Sequence, residues 1–245
     1  MTKILKYDAG IILLKPYVFV MTAVTLLYSY FILSTDIILG VSDTAPFSGW
    51  SFGKYMGEAN ILSILVTLFI LATTFSKRQK KVELLTGLTG FPAKKRVLIK
   101  SIIIGGFYIF SNLLVLILGC VFMGSLFGKL QLGSYLVSWL LINLPCLFVI
   151  LGIGNILGKK SPVLIYVFMA LIVVMAFAMR ESFIDLNGAN YFVVMSEKLE
   201  TINGGEIPFS LSLGFIMRRT VYLILGAMIL ILNVVGLDKK SRYDG

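Results

Sequence analysis

The sequence predicts an all-α membrane protein with six transmembrane helices, an amino-terminal interfacial helix and one short amphipathic helix on the cytoplasmic side. Three observations carry this. Of the 245 residues, 58% are hydrophobic and only 14% charged, against roughly a quarter charged in a soluble domain. The mean hydropathy is +0.95. The apolar residues also fall into six runs, at about 17–38, 57–75, 97–127, 132–157, 162–179 and 220–237. Each approaches or exceeds the roughly 20 residues an α-helix needs to cross about 30 Å of hydrocarbon. Residues 1–245 therefore read as a single transmembrane domain with no soluble domain beside it.

Taken in order, Lys3 and Lys6 precede an apolar stretch as in a signal peptide, but no small-residue cleavage site follows and the run is long enough to span. It is expected to stay as the first helix, led by a short amphipathic stretch up to Lys15. Asp36, near the end of the first span, and Glu58, near the start of the second, are expected at the solvated interface. The third run is longer than one straight crossing, and Gly105-Gly106 offers a bend. In the fourth, Pro145 removes a backbone donor and should bend the helix. Gly154 with Gly158, and Gly124 with Gly128, have the spacing of small faces that let helices pack closely. Cys120 and Cys146 fall inside spans without metal-ligand spacing, so they are expected to pack as small apolar residues with no disulfide.

The charges set the orientation. With the amino terminus in the cytoplasm, Lys3, Lys6, Lys15, Lys77, Arg78, Lys80, Lys81, Lys94, Lys95, Arg96, Lys100, Lys159, Lys160, Lys239, Lys240 and Arg242 all fall on the inside. Both termini are then cytoplasmic. Arg218-Arg219, in the outside segment before the last run, is the local violation. The net charge of +10 reflects this asymmetry facing anionic lipid and is not a nucleic-acid footprint.

Several chemistries are excluded. With no histidine in the chain, imidazole metal sites and Ser-His-Asp catalysis fall away. No paired carboxylates or carboxylate-lysine pair lie at expected membrane depth, so intramembrane proteolysis and ion-coupled transport lose their usual groups. The segment from Gly152 through Gly154, Gly158, Lys159 and Lys160 to Ser161 has the wrong glycine spacing for a phosphate loop and a lysine where Ser or Thr is needed. No catalytic residue, cofactor or metal is expected in this chain. Within the spans the polar residues are uncharged. Asn112, Asn143 and Asn155 either hydrogen-bond between helices or line a translocation path, and both readings stay open.

Between the second and third spans, Leu84, Leu85, Leu88 and Phe91 recur at helical spacing, Gly90 and Pro92 stop the pattern, and Lys94-Lys95-Arg96 enters the next span. From charge alone, a basic loop lying on anionic lipid is the favoured account. The order of features, with Glu83-Leu84-Leu85 and Pro92-Ala93-Lys94-Lys95-Arg96 flanking Thr86–Phe91 in a six-span chain, resembles the type-2 permeases of ATP-binding-cassette exporters, of the kind that export bacteriocins and toxin peptides or give immunity to them. The resemblance implies an ATPase-coupling helix at Glu83, Leu84, Leu85, Thr86, Gly87 and Leu88. It also implies a separate ATPase subunit binding ATP and Mg, an elbow helix at about Thr2–Lys15, a second permease copy or paralogue, and re-entrant helices within Arg180–Met217. The setting it implies is a bacterial plasma membrane.

The expected function is a permease subunit that moves an amphipathic peptide or other membrane-soluble substrate outward. Spans offering only Asn, Ser, Thr and aromatic contacts poorly compensate a highly charged solute, whereas a peptide already in the bilayer brings its own apolar surface. The alternatives are a drug or glycan exporter, a non-transporting anchor or sensor for an ATPase, and an ATP-independent carrier. In a Cys120→Ala, Cys146→Ala background, single cysteines at Lys80 and Lys240 should react with an impermeant maleimide only after permeabilisation, and one at Asn203 in intact cells. Labelling of Asn203→Cys only from inside would break the six-span topology.

Overall fold

The computed structural model describes residues 2–42, 44–76, 93–178, 185–198 and 208–243. Among these every regular element is a helix, as hydrocarbon requires, because an α-helix satisfies its own backbone groups without water. The elements are α1 (Thr2–Leu13), α2 (Pro16–Ile32, extended by a π turn at Leu33–Ile37), α3 (Gly49–Thr74), α4 (Ala93–Phe127), α5 (Leu132–Lys160), α6 (Pro162–Ala178), α7 (Ala189–Lys198) and α8 (Leu213–Tyr243). Five are long and apolar enough to cross a membrane, within Pro16–Ile37, Gly49–Thr74, Lys95–Phe127, Leu132–Lys160 and Leu213–Val235, and the apolar helix at Pro162–Ala176 is shorter. Among the described residues the protein is thus all-α with five candidate spans. The fifth run of the sequence, 162–179, corresponds to α6, about 26 Å long at 1.5 Å per residue.

Local chemistry places the boundaries. Pro16 and Pro162 stand at first helical positions, where a missing N–H costs nothing. The Ser48 hydroxyl accepts from Ser51 N at 3.2 Å and caps α3. This start lies eight residues before the sequence expectation, so Glu58 sits inside α3, 3.8 Å from Lys54 one turn earlier, and not at its mouth. The third run is one continuous helix through Gly105-Gly106. It ends at Gly128, whose φ of +64° is the left-handed conformation that closes helices. Gly124 faces only Leu130, so Gly124 and Gly128 do not form the helix-packing pair expected of them. Likewise α5 runs on through Pro145.

The upper end of the bundle is the one where α3, α5 and α8 begin. The core there is aromatic: Phe52 stacks on Tyr135 with centroids 3.9 Å apart, and Tyr191 stacks on Phe215 at 3.9 Å. The lower core is aliphatic, with Ile64, Leu68 and Leu71 of α3 meeting Ile99, Ile103 and Ile104 of α4 and Ile150 and Leu151 of α5. α3 is the most enclosed span and α8 the least. Apolar side chains such as Leu27 on α2, Val167 on α6 and Leu232 on α8 point outward, the surface expected of helices whose solvent is lipid.

Glycines set the closest approaches. A Cβ at Gly226 would lie 2.6 Å from the backbone of Phe148 and Val149, and one at Gly152 would lie 2.9 Å from the Gly226 carbonyl, so α5 and α8 touch backbone to backbone. Gly154 and Gly158 do pack closely, against Leu71 and Phe75 at the lower end of α3. At the upper end Gly49, Gly53 and Gly57 line one face of α3 and receive Phe209, Phe192 and the Ala189 backbone, which seats α7 against α3. Gly226→Val should therefore destabilise the purified protein by about 1–3 kcal/mol, the usual range for overpacking, read as a lower midpoint of thermal unfolding in detergent. Gly106→Ala, at an open position, should leave the midpoint unchanged.

Candidate functional site

Between the aromatic and aliphatic cores lies a polar waist. Asn60 sits about 16 Å along α3 from its start, and Tyr108 and Asn143 sit near the middles of α4 and α5. The Tyr108 hydroxyl lies 2.5 Å from Asn60 Oδ1 and 3.2 Å from Asn143 Oδ1, so its single hydrogen serves chiefly Asn60 while the hydroxyl bridges three helices. Asn60 Nδ2 points to Cys146 Sγ at 3.4 Å, and the Cys146 thiol donates to the Leu186 carbonyl at 2.8 Å. Tyr108, Asn60 and Cys146 are fully buried. This is an uncharged chain of contacts leading from the middle of the bundle to the turn that precedes α7.

At the end of that chain is a charge. Arg219, six residues into α8, is 2% exposed and donates from Nη1 to the same Leu186 carbonyl at 2.6 Å. Its guanidinium also lies 5.1 Å from the centroid of the Phe215 ring, an attractive placement for a cation. Asp185 Oδ1 accepts from Gly188 N at 2.8 Å and folds residues 185–188 into a tight turn. Gly188 has φ +78°, and a Cβ there would collide with Arg219 Nη2, so the turn and the guanidinium fit only around glycine. Asp185 Oδ2 and Arg219 Nη2 are both buried without a hydrogen-bond partner among the described residues.

This corrects the expectation of spans without buried charge. Counting the last apolar run from residue 220 puts Arg219 in an outside loop. The helix instead starts at Leu213, and the side chain turns inward to a carbonyl. A charged group held at this depth is costly and marks a candidate functional position.

The three asparagines singled out from the sequence are all buried but not together. Each uses Nδ2 to bond the carbonyl one turn earlier: Asn112 to Tyr108 at 3.0 Å, Asn143 to Trp139 at 2.9 Å and Asn155 to Leu151 at 2.7 Å. Asn143 belongs to the waist. Asn112 adjoins it through its own carbonyl, which accepts from Trp139 Nε1 at 3.1 Å. Asn155 is about 18 Å further along α5 than Asn143 and meets Ser101 Oγ at 3.1 Å. Glu83, Leu84, Leu85, Thr86, Gly87 and Leu88 lie outside the described residues. Cys146 is a hydrogen-bonding member of the waist, not merely a small apolar residue. Cys120 is half-buried, and both thiols are free.

Among the described residues no group of histidine, cysteine or acidic side chains could hold a metal. No family model, curated protein or solved structure matches the chain. Tyr108→Phe leaves the Asn60 and Asn143 oxygens without their shared donor, and it should destabilise the purified protein by about 1–2 kcal/mol. Tyr30→Phe, at an exposed ring, serves as the control, and equal unfolding midpoints for the two variants would remove the waist as a structural joint.

Proposed function

We propose that the chain is the six-span membrane subunit of an ATP-binding-cassette exporter. It would work as a dimer with a second copy or a paralogue, and a separate subunit would bind ATP and Mg. The observation that carries this reading is one of order. An amphipathic helix, α1, leads into the first long apolar helix, and the basic segment containing Glu83–Leu88 joins α3 to α4. A short helix, α7, then sits inside the bundle before the last long apolar helix, α8. The packing of Leu5, Ala9 and Ile12 of α1 against the lower core, with Tyr7 exposed, suits a helix lying in the interface plane.

On this reading both termini and the 77–92 link face the cytoplasm of a bacterium. ATP-driven motion of the partner would press on Glu83–Leu88 and tilt α3 and α4. The cargo is an amphipathic or membrane-soluble peptide. The buried Arg219 does not overturn that preference, because its charge is already engaged by the Leu186 carbonyl and the Phe215 ring.

The test is co-expression with the candidate ATPase in a host sensitive to amphipathic peptides. Tolerance should rise, and a hydrolysis-deficient ATPase should abolish the gain. Glu83→Lys combined with Leu85→Asp should also abolish it while membrane insertion persists. Undiminished tolerance and complex formation in that double variant would remove the coupling assignment. Hydrolysis stimulated by a polar glycan or small drug, and by no peptide, would overturn the cargo.

A further inference from the structure

We propose that the turn at 185–188, clamped by Arg219, is a releasable seal over the polar waist, and that releasing it admits water to the middle of the bundle. The proposal does not depend on the exporter reading.

The first argument is where the turn is held. One carbonyl, that of Leu186, takes hydrogen bonds from two different helices: the Cys146 thiol of α5 at 2.8 Å and Arg219 Nη1 of α8 at 2.6 Å. The stronger of the two is the charge-assisted bond from Arg219. A backbone turn at this depth in hydrocarbon needs such partners, since no lipid atom can supply them. Removing Arg219 thus takes away the donor that keeps the turn docked and leaves the weak thiol alone.

The second argument is what lies behind the turn. Cys146, Asn60, Tyr108 and Asn143 form an unbroken polar chain. Ser63, Asn112 and Ser138, each within about a turn and a half of a member of that chain on its own helix, carry buried oxygens without a partner among the described residues. A purely structural polar network is ordinarily satisfied throughout. This one leaves acceptors that entering water would satisfy, each buried orphan being costly while the seal is shut.

The third argument is the clamp itself. Asp185 and Arg219 carry opposite charges on the two sides of Gly188, yet they form no ion pair within 4 Å among the described residues, and one polar atom of each is buried and unpartnered. Both would gain hydrogen bonds from water on opening. Closure is favoured by the Arg219–Leu186 bond together with aromatic packing, with Phe192 on Gly53 and Tyr191 on Phe215. One charge-assisted bond and apolar packing hold the turn shut, opposed by the unpartnered polar atoms that are better satisfied when it is open, and this gives a two-state element.

The native Cys146 reports on the seal directly. In a Cys120→Ala background it is the one thiol left, and in lipid nanodiscs both membrane faces meet the reagent. A water-soluble maleimide should label it slowly in that parent. Arg219→Gln and Gly188→Ala should each raise the labelling rate at least about tenfold, the population shift expected when a charge-assisted hydrogen bond is lost. Ser101→Cys, placed in the lower half in a Cys120→Ala, Cys146→Ala background carrying either substitution, should stay protected. The seal is overturned if Cys146 labels no faster than in the parent in both variants. It is equally overturned if Ser101→Cys gains reactivity in step with Cys146, which would mean general loosening.

Discussion

In hydrocarbon, a polar group without a partner has no water to fall back on, and this constraint organises the centre of the molecule. Asn112, Asn143 and Asn155 answer it in one way: each ties its amide nitrogen to the carbonyl one turn earlier on its own helix. That leaves the amide oxygen for a neighbour. Asn143 gives its oxygen to Tyr108, and Asn155 instead spends a second amide contact on Ser101. Because a hydroxyl carries one hydrogen, Tyr108 fixes the register of α3, α4 and α5 at a single level, and a slide of any one of these helices by a residue would orphan several groups at once.

Above and below that level, packing follows backbone proximity more than side-chain volume. α8 has little of its surface inside the bundle, yet it is fastened to α5 at three heights. Arg219 reaches the turn that Cys146 also holds, Gly226 meets Gly152 and the Phe148 backbone, and Asn233 Nδ2 donates to the Gly152 carbonyl at 3.1 Å. Below these, Lys159 Nζ donates to the Asn233 carbonyl at 3.0 Å. Such contacts depend on geometry, since between two apolar helices in lipid there is little hydrophobic drive.

The apolar runs were legible because their length is imposed by the bilayer. Five appear as long helices within a few residues, apart from an earlier start for α3 and α8. Those two starts explain the main misreadings. Glu58 and Arg219 look like interfacial charges when a span is counted from its first continuous apolar residue, whereas both helices begin among small and polar residues, at Gly49 and Leu213. The spacing Gly49, Gly53, Gly57 was visible, but it lay in what read as a loop, so its role as the seat of α7 was hidden. Tyr108 and Asn60 were unremarkable in sequence, because a hydroxyl and an amide become a site only when three helices bring them to one height. The Glu83–Leu88 assignment rests on the resemblance and lies outside the described residues.

The same contacts determine where movement would have to be absorbed. α5 and α8 are tied to each other along their length, while α3 and α4 are the helices joined by the 77–92 link. If force enters through that link, as proposed, it acts on one pair and is resisted by the other. The two pairs meet in polar contact at Tyr108, Asn60, Asn143 and Cys146. Aliphatic side chains can slide past one another with small loss, but hydrogen bonds of fixed direction exchange between discrete arrangements. The polar waist is therefore the place where a gradual tilt of α3 and α4 would become an abrupt change. The turn carrying Leu186 is bonded to Cys146 at the edge of that waist, so it would feel the change first.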